Sequence, residues 1–189
     1  MAARTAGLGG QRSFELNLFF RRIWVLLVAM FSSKRGPLNR PYVLNYRVWL
    51  TDQDMFMHMT NSRYLSFSDL ARINLLVRTG LANALRKNGW QLEICGQTRT
   101  LTRMLKAPQA FKMICEIDGW TDTHIAFNHM FQRRNSTHAA VNTLMRVADA
   151  DGNTITPQAL IDAISWTETS PVLPEYFTGL MQEVGPSTT

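Results

Sequence analysis

One run of the sequence restricts the fold more than any other. Residues 64–79 hold Leu65, Phe67, Leu70, Ala71, Ile73, Leu75, Leu76 and Val77, so the segment is apolar on most faces. A helix of that kind has to be wrapped and cannot simply lie on a surface. Thr60 or Asn61 suits its N-cap and Gly80 its C-terminal stop. Ahead of it, Leu44, Tyr46, Val48 and Leu50 alternate with Asn45, Arg47 and Trp49, the period of a half-buried strand over 42–50. Behind it, a short helix over 81–87 is closed by Asn88-Gly89. Four further alternating runs follow, opening at Trp90 (with a bend at Gly96), Phe111, Ile125 and Ala139. The loop over 149–153 then leads to Thr156-Pro157, which opens a last short helix. Successive strands argue for an antiparallel sheet, and the one long helix must cover it, which predicts an α+β fold.

The junction between first strand and long helix concentrates polar chemistry. It reads Val48-Trp-Leu-Thr-Asp52-Gln-Asp54-Met-Phe-Met57-His58-Met-Thr-Asn61-Ser-Arg-Tyr64. A carboxylate at a strand tip facing a helix start can act as nucleophile or activate water. Amides of the first helical turn, about Met59 to Asn61, lack intrahelical acceptors and could hold an oxyanion. Asp54 as a plain strand-ending turn residue is the competing reading. Asp52 suits a turn former better than a second catalytic acid. His58 orients a water or a substrate carbonyl, or is structural. Asn61 orients a water or caps the helix.

The spacing Asp52-x-Asp54, His58, Asn61, Tyr64 resembles the hot-dog acyl-CoA thioesterases, and within them the 4-hydroxybenzoyl-CoA thioesterase-like branch, which reads roughly D-x-D-x-x-G-H-x-x-N-x-x-Y. Met57 stands where that pattern has Gly. The resemblance implies a hot-dog fold, with about five antiparallel strands wrapped around one long central helix. It also implies hydrolysis of an acyl-CoA to free acid and coenzyme A without cofactor. Asp54, His58 and Asn61 would be the catalytic residues, the amides of Met59 and Thr60 the oxyanion donors, and Tyr64 a residue near the substrate. A homodimer or a dimer of dimers is expected with it. An acyl-thioester hydratase is less well matched, since its pattern wants Asn and His where Phe56 and Met59 stand. A non-catalytic acyl-thioester-binding or membrane-associated protein on the same fold stays open.

At 189 residues the chain is long enough for one sizeable domain. The formal charge of +6 fits nucleic acid, anionic lipid or a phosphate-rich ligand such as coenzyme A. No zinc-finger or aromatic-basic pattern supports nucleic acid. Arg99, Arg103, Lys106, Arg133 and Arg134 are candidate contacts for coenzyme A phosphates, or simply solvated charges. His124, His129 and His138 share no spacing with acids or cysteines, so no metal site is expected. Cys95 and Cys115 read as buried free thiols of a reducing compartment, and cytoplasmic placement is expected. The many Met residues around the motif suit an adaptable pocket or ordinary core filling.

Residues 1–41 are expected as an N-terminal extension, 42–170 as the thioesterase-like domain, and 171–189 as a tail without strong pattern. Within the extension, the uninterrupted apolar run 23–31 falls short of the ~20 residues that span a bilayer. The flanking residues match secretory and twin-arginine signals poorly. An amphipathic helix over 14–31, packed on the domain or in peripheral contact with a membrane, fits better, with a linker over 32–41.

Overall fold

The computed structural model describes residues 36–167 and 169–184. The expected helix over 14–31 lies outside them. Strand β1 (Tyr42–Arg47) leads through a 3-10 turn (Leu50–Asp52) to the long helix α1 (Asn61–Thr79). Helix α2 (Leu81–Asn88) follows. Then come β2 (Gln91–Leu101), β3 (Ala110–Trp120), β4 (Ile125–Arg133), β5 (Ser136–Ala148) and the short β6 (Thr154–Ile155). Helices α3 (Pro157–Asp162) and α4 (Glu175–Val184) close the described chain. All pairings are antiparallel, in the order β1-β3-β4-β5-β2, with β6 beside β5. This is the expected α+β, hot-dog arrangement.

The sheet curls around α1 because α1 offers it a continuous apolar stripe. Tyr64, Phe67, Ala71 and Leu75 recur at helical spacing and are all buried. The N-terminal half of that stripe is aromatic. Phe67 meets Phe111 edge-on at 5.3 Å between ring centroids, and Tyr64 meets Phe131 in the same way at 5.0 Å. Phe111 and Phe131 stack at 5.7 Å, and Tyr46 adds a tilted contact with Phe67 at 4.9 Å. Each such pair contributes about 0.5–1.5 kcal/mol beyond burial. Together they fix the start of α1 against β1, β3 and β4, where the motif lies. Gly80 ends α1 in the left-handed region at φ 89, as its position predicted.

Two boundaries move. Leu38 belongs to the main core, and the Gly36 amide donates to the Arg78 carbonyl at 2.9 Å. Residues 36–38 are therefore packed against the domain and do not behave as a free linker. Residues 171–184, expected as a patternless tail, contain α4, which covers the outer face of the sheet. Phe177 and Leu180 pack there with Ala126 and Leu144 in a second small core. Gly96 on β2 makes this possible: a Cβ would stand 2.7 Å from a Val184 methyl. Cys115 is buried and Cys95 half-buried, both as free thiols.

A polar cluster ties α4 down. The Tyr176 hydroxyl donates to Asp118 and accepts from Asn128 Nδ2 at 3.2 Å. Burial pushes the Asp118 carboxyl above its ordinary range. Burial first, and then the neighbouring Asp118, do the same to Glu116. A carboxyl whose folded pKa is raised contributes stability below its unfolded pKa and loses it as pH rises through the folded one. The stability of the native fold should therefore fall as pH rises from the acid range through the raised values. Asp118→Asn should flatten that slope in denaturant titrations run at a series of pH values. An unchanged slope would mean these carboxyls do not couple to folding.

Candidate active site

The motif folds into a loop whose backbone is held from inside. Asp52 is fully buried and lies 3.4 Å, Oδ1 to Nε, from Arg63, itself 3% exposed. Its Oδ2 accepts the Trp49 amide at 2.9 Å, and its carbonyl accepts the Thr60 amide at 2.9 Å. Asp52 thus joins the end of β1 to the start of α1, a larger role than shaping a turn. Arg63 was not singled out from the sequence. Its ion pair spans eleven residues across a loop, and no local pattern announces that.

Asp54 sits exposed at the loop's mouth. Its Oδ1 accepts the amides of Phe56 at 2.9 Å and His58 at 3.2 Å, and its own amide donates to the His58 carbonyl at 2.9 Å. This is the Asx-turn geometry in which a carboxylate organises its own backbone. The second oxygen has no partner among the described residues. Met57 stands in the left-handed region at φ 59, a conformation that costs a residue with a Cβ about 1–2 kcal/mol. The loop keeps the backbone shape that Gly would adopt freely.

His58 is half-buried and next to the mouth. Asn61 is exposed as the first residue of α1, with Thr60 in the N-cap position, so Asn61 does not cap the helix. Asp54, His58 and Asn61 are thus brought to one end of α1. Two expectations need correction. The amides of Met59 and Thr60 are not open for an oxyanion: they donate to the carbonyls of Leu105 at 2.8 Å and Asp52 at 2.9 Å. The open amides of the first turn belong to Asn61 and Ser62, which have no intrahelical acceptor. Tyr64, placed near the substrate by the resemblance, packs instead and keeps no exposed surface. It is fully buried, and its hydroxyl accepts the Leu105 amide at 3.0 Å, locking the segment after β2 onto α1. Burial raises its pKa.

Along the motif, Trp49, Leu50, Met55, Phe56 and Met57 leave an exposed apolar rim, Met55 being 87% exposed. His129 is buried within the sheet and held neutral, its pKa pushed down to about 3 chiefly by burial, with Nδ1 against the Val141 carbonyl at 3.0 Å. It plays no part at the mouth. No helix among the described residues is long and apolar enough to cross a membrane.

Comparison with known proteins agrees with this fold. Protein THEM6 of Danio rerio is 28% identical over 134 residues, covering 71% of this chain and 66% of that protein. The chain therefore spans a little under two thirds of that relative's length. Among solved structures, a putative oleoyl thioesterase from Lactobacillus plantarum superposes with a TM-score of 0.62 at 11% identity, covering 75% of this chain and 56% of that one. The DHNA-CoA thioesterase of Staphylococcus aureus superposes with a TM-score of 0.57 at 10% identity, covering 66% and 89%. At such identities the superpositions establish the fold. The family itself is established by a match to the Thioesterase-like superfamily over residues 48–175, which takes in the motif loop, α1 and the whole sheet from β2 to β6, and the chain belongs to that superfamily.

Proposed function

We propose that the protein hydrolyses an acyl-CoA thioester to a carboxylic acid and free coenzyme A. One observation carries this reading: a carboxylate, Asp54, stands exposed beside the open N-terminus of a buried helix, with its loop pinned by its own Oδ1. The free Oδ2 either attacks the thioester carbonyl or takes a proton from the attacking water. As the tetrahedral centre forms, its oxygen becomes an anion, and the amides of Asn61 and Ser62 at the positive end of α1 stabilise it. Collapse breaks the C–S bond; on the water route the proton taken up by Asp54 passes to the departing thiolate, and on the direct route the thiolate is protonated by solvent and water then cleaves the acyl–Asp54 anhydride, releasing the acid and restoring the carboxylate. His58 and the Asn61 side chain flank this centre and orient the water. The apolar rim suits an apolar acyl group.

The same rim, together with the edges of β1 and β2, which no other strand among the described residues pairs, supports assembly with a second copy, because an open strand edge tends to pair. A homodimer is proposed on that ground. Free-thiol release from a panel of acyl-CoAs of graded length and aromaticity tests the activity, with light scattering on the same sample. Turnover of at least one acyl-CoA by a dimer or larger assembly is the expected result. No thiol release across the panel would leave a binding protein on this fold, and full activity in a strict monomer would remove the dimer.

A further inference from the structure

The loop that presents Asp54 is a tight hairpin with a buried side chain at its base. Gln53 and Met59 pair there in an isolated antiparallel bridge. Beyond the bridge, the Asp54 amide donates to the His58 carbonyl at 2.9 Å and the Met57 amide to the Asp54 carbonyl at 3.1 Å. Met55, Phe56 and Met57 are thus a three-residue hairpin loop. Loops of this kind end on a left-handed residue, which accounts for the φ of 59 at Met57. Asp54 to Met57 are all exposed, whereas Gln53 is 9% exposed.

The Gln53 side chain turns back into its own hairpin. Its Nε2 donates to the Met57 carbonyl, and because a carbonyl only accepts, that contact fixes which way the amide lies. Its Oε1 is then buried and has no partner among the described residues. An acceptor left unpaired inside costs more than an ordinary hydrogen bond contributes, so stability does not explain an amide at this position.

The Met57 carbonyl and the His58 amide belong to one planar peptide unit. Gln53 holds the carbonyl end of that plane, and the amide end donates to Asp54 Oδ1 at 3.2 Å. Rotating the plane breaks both bonds together, so the buried side chain governs the setting of the exposed carboxylate. The left-handed conformation disfavours any residue with a Cβ, and the plane at Met57 therefore needs a restraint that Gly would not. We propose that Gln53 is a positioning residue for Asp54: acting through the Met57–His58 peptide, it holds the carboxylate in its working orientation and so offsets the absence of glycine at position 57. The proposal rests on the hydrolase reading above for the reaction, and part of its test does not depend on turnover.

Gln53→Met keeps the volume and removes both the donor and the unpaired Oε1, so it should melt close to wild type. Its kcat for the best acyl-CoA should still fall by about tenfold or more with KM little changed, because a misaimed carboxylate slows the chemistry and leaves binding intact. Gln53→Leu should act alike. The same substitutions made in Met57→Gly should cost less than about threefold, since Gly takes the left-handed conformation without restraint. Whatever Met57→Gly does to the apolar rim is common to both members of that pair and cancels. Independently of turnover, hydrogen exchange at the His58 amide, followed by NMR, should quicken by about threefold or more in Gln53→Met, because the closed loop is then less populated. Unchanged kcat or unchanged His58 exchange in the folded variants, or equal losses in the two Met57 backgrounds, overturns the proposal. Quickened His58 exchange in Gln53→Met, with no acyl-CoA hydrolysed by the wild type, keeps Gln53 as the clamp on the Asp54 loop and removes the hydrolase reading.

Discussion

Asp54→Asn is expected to lower kcat by at least about two decades while KM changes little. The geometry makes this substitution unusually selective. Oδ1 already serves the loop, accepting the amides of Phe56 and His58. The Asn carbonyl oxygen can take that position and keep both bonds, so the loop and Met57's left-handed backbone should persist. The loss then falls on the outward atom alone. As an NH₂ it can neither attack a thioester carbonyl nor accept a proton from water. The exposed apolar side chains of the loop are untouched, so ground-state binding should survive, and thermal melts of the two proteins should nearly coincide. Steady-state hydrolysis of the best substrate reads the effect. Near wild-type turnover by a folded Asp54→Asn protein would remove Asp54 from the chemistry.

Much of the fold could be read from local pattern, and the parts that could not share a physical cause. The strands announced themselves by alternation because one face of each meets α1, and α1 by being apolar on most sides. Where the structure departs, the deciding interactions are distant in sequence. The amides of Met59 and Thr60 looked open by helix geometry, yet the first is taken by Leu105, which arrives from the far side of β2. Tyr64 looked placed for substrate from its spacing, and Leu105 explains that as well. Helix α4 did leave a signal: Phe177, Leu180, Met181 and Val184 recur at helical spacing. Pro171, Pro174 and Gly179 around them carry the composition of a loop, and that masked it. The missing Gly at position 57 proved neutral for the loop's shape, because Met57 itself adopts the left-handed conformation. At Arg134 the left-handed position was not legible, because Asn and Gly are the residues that usually mark it.

Arg63→Met should cost about 3–5 kcal/mol of stability, the largest loss expected from any single change near the site. The side chain is almost wholly buried beside Asp52, which is buried completely. Met keeps much of the apolar stem but removes the guanidinium, leaving a carboxylate inside the protein without its cation. Breaking a buried pair from one side costs that much because the remaining charge stays desolvated. The Trp49 amide would still donate to Oδ2, but a neutral donor does not replace a cation. Replacing both members is the control. Asp52→Asn with Arg63→Met leaves no buried charge, so the double variant should recover part of the loss and show a coupling of ~1–3 kcal/mol between the two sites. Function should follow stability here, because the Asp52 carbonyl holds the Thr60 amide and so sets the start of α1 beside Asp54. At temperatures where Arg63→Met is still folded, its kcat should drop. Urea titrations of the wild type, both single variants and the double variant measure the cycle. If Arg63→Met unfolds with a midpoint close to that of the wild type, or if the two losses simply add, the Asp52–Arg63 pair is not what joins strand to helix.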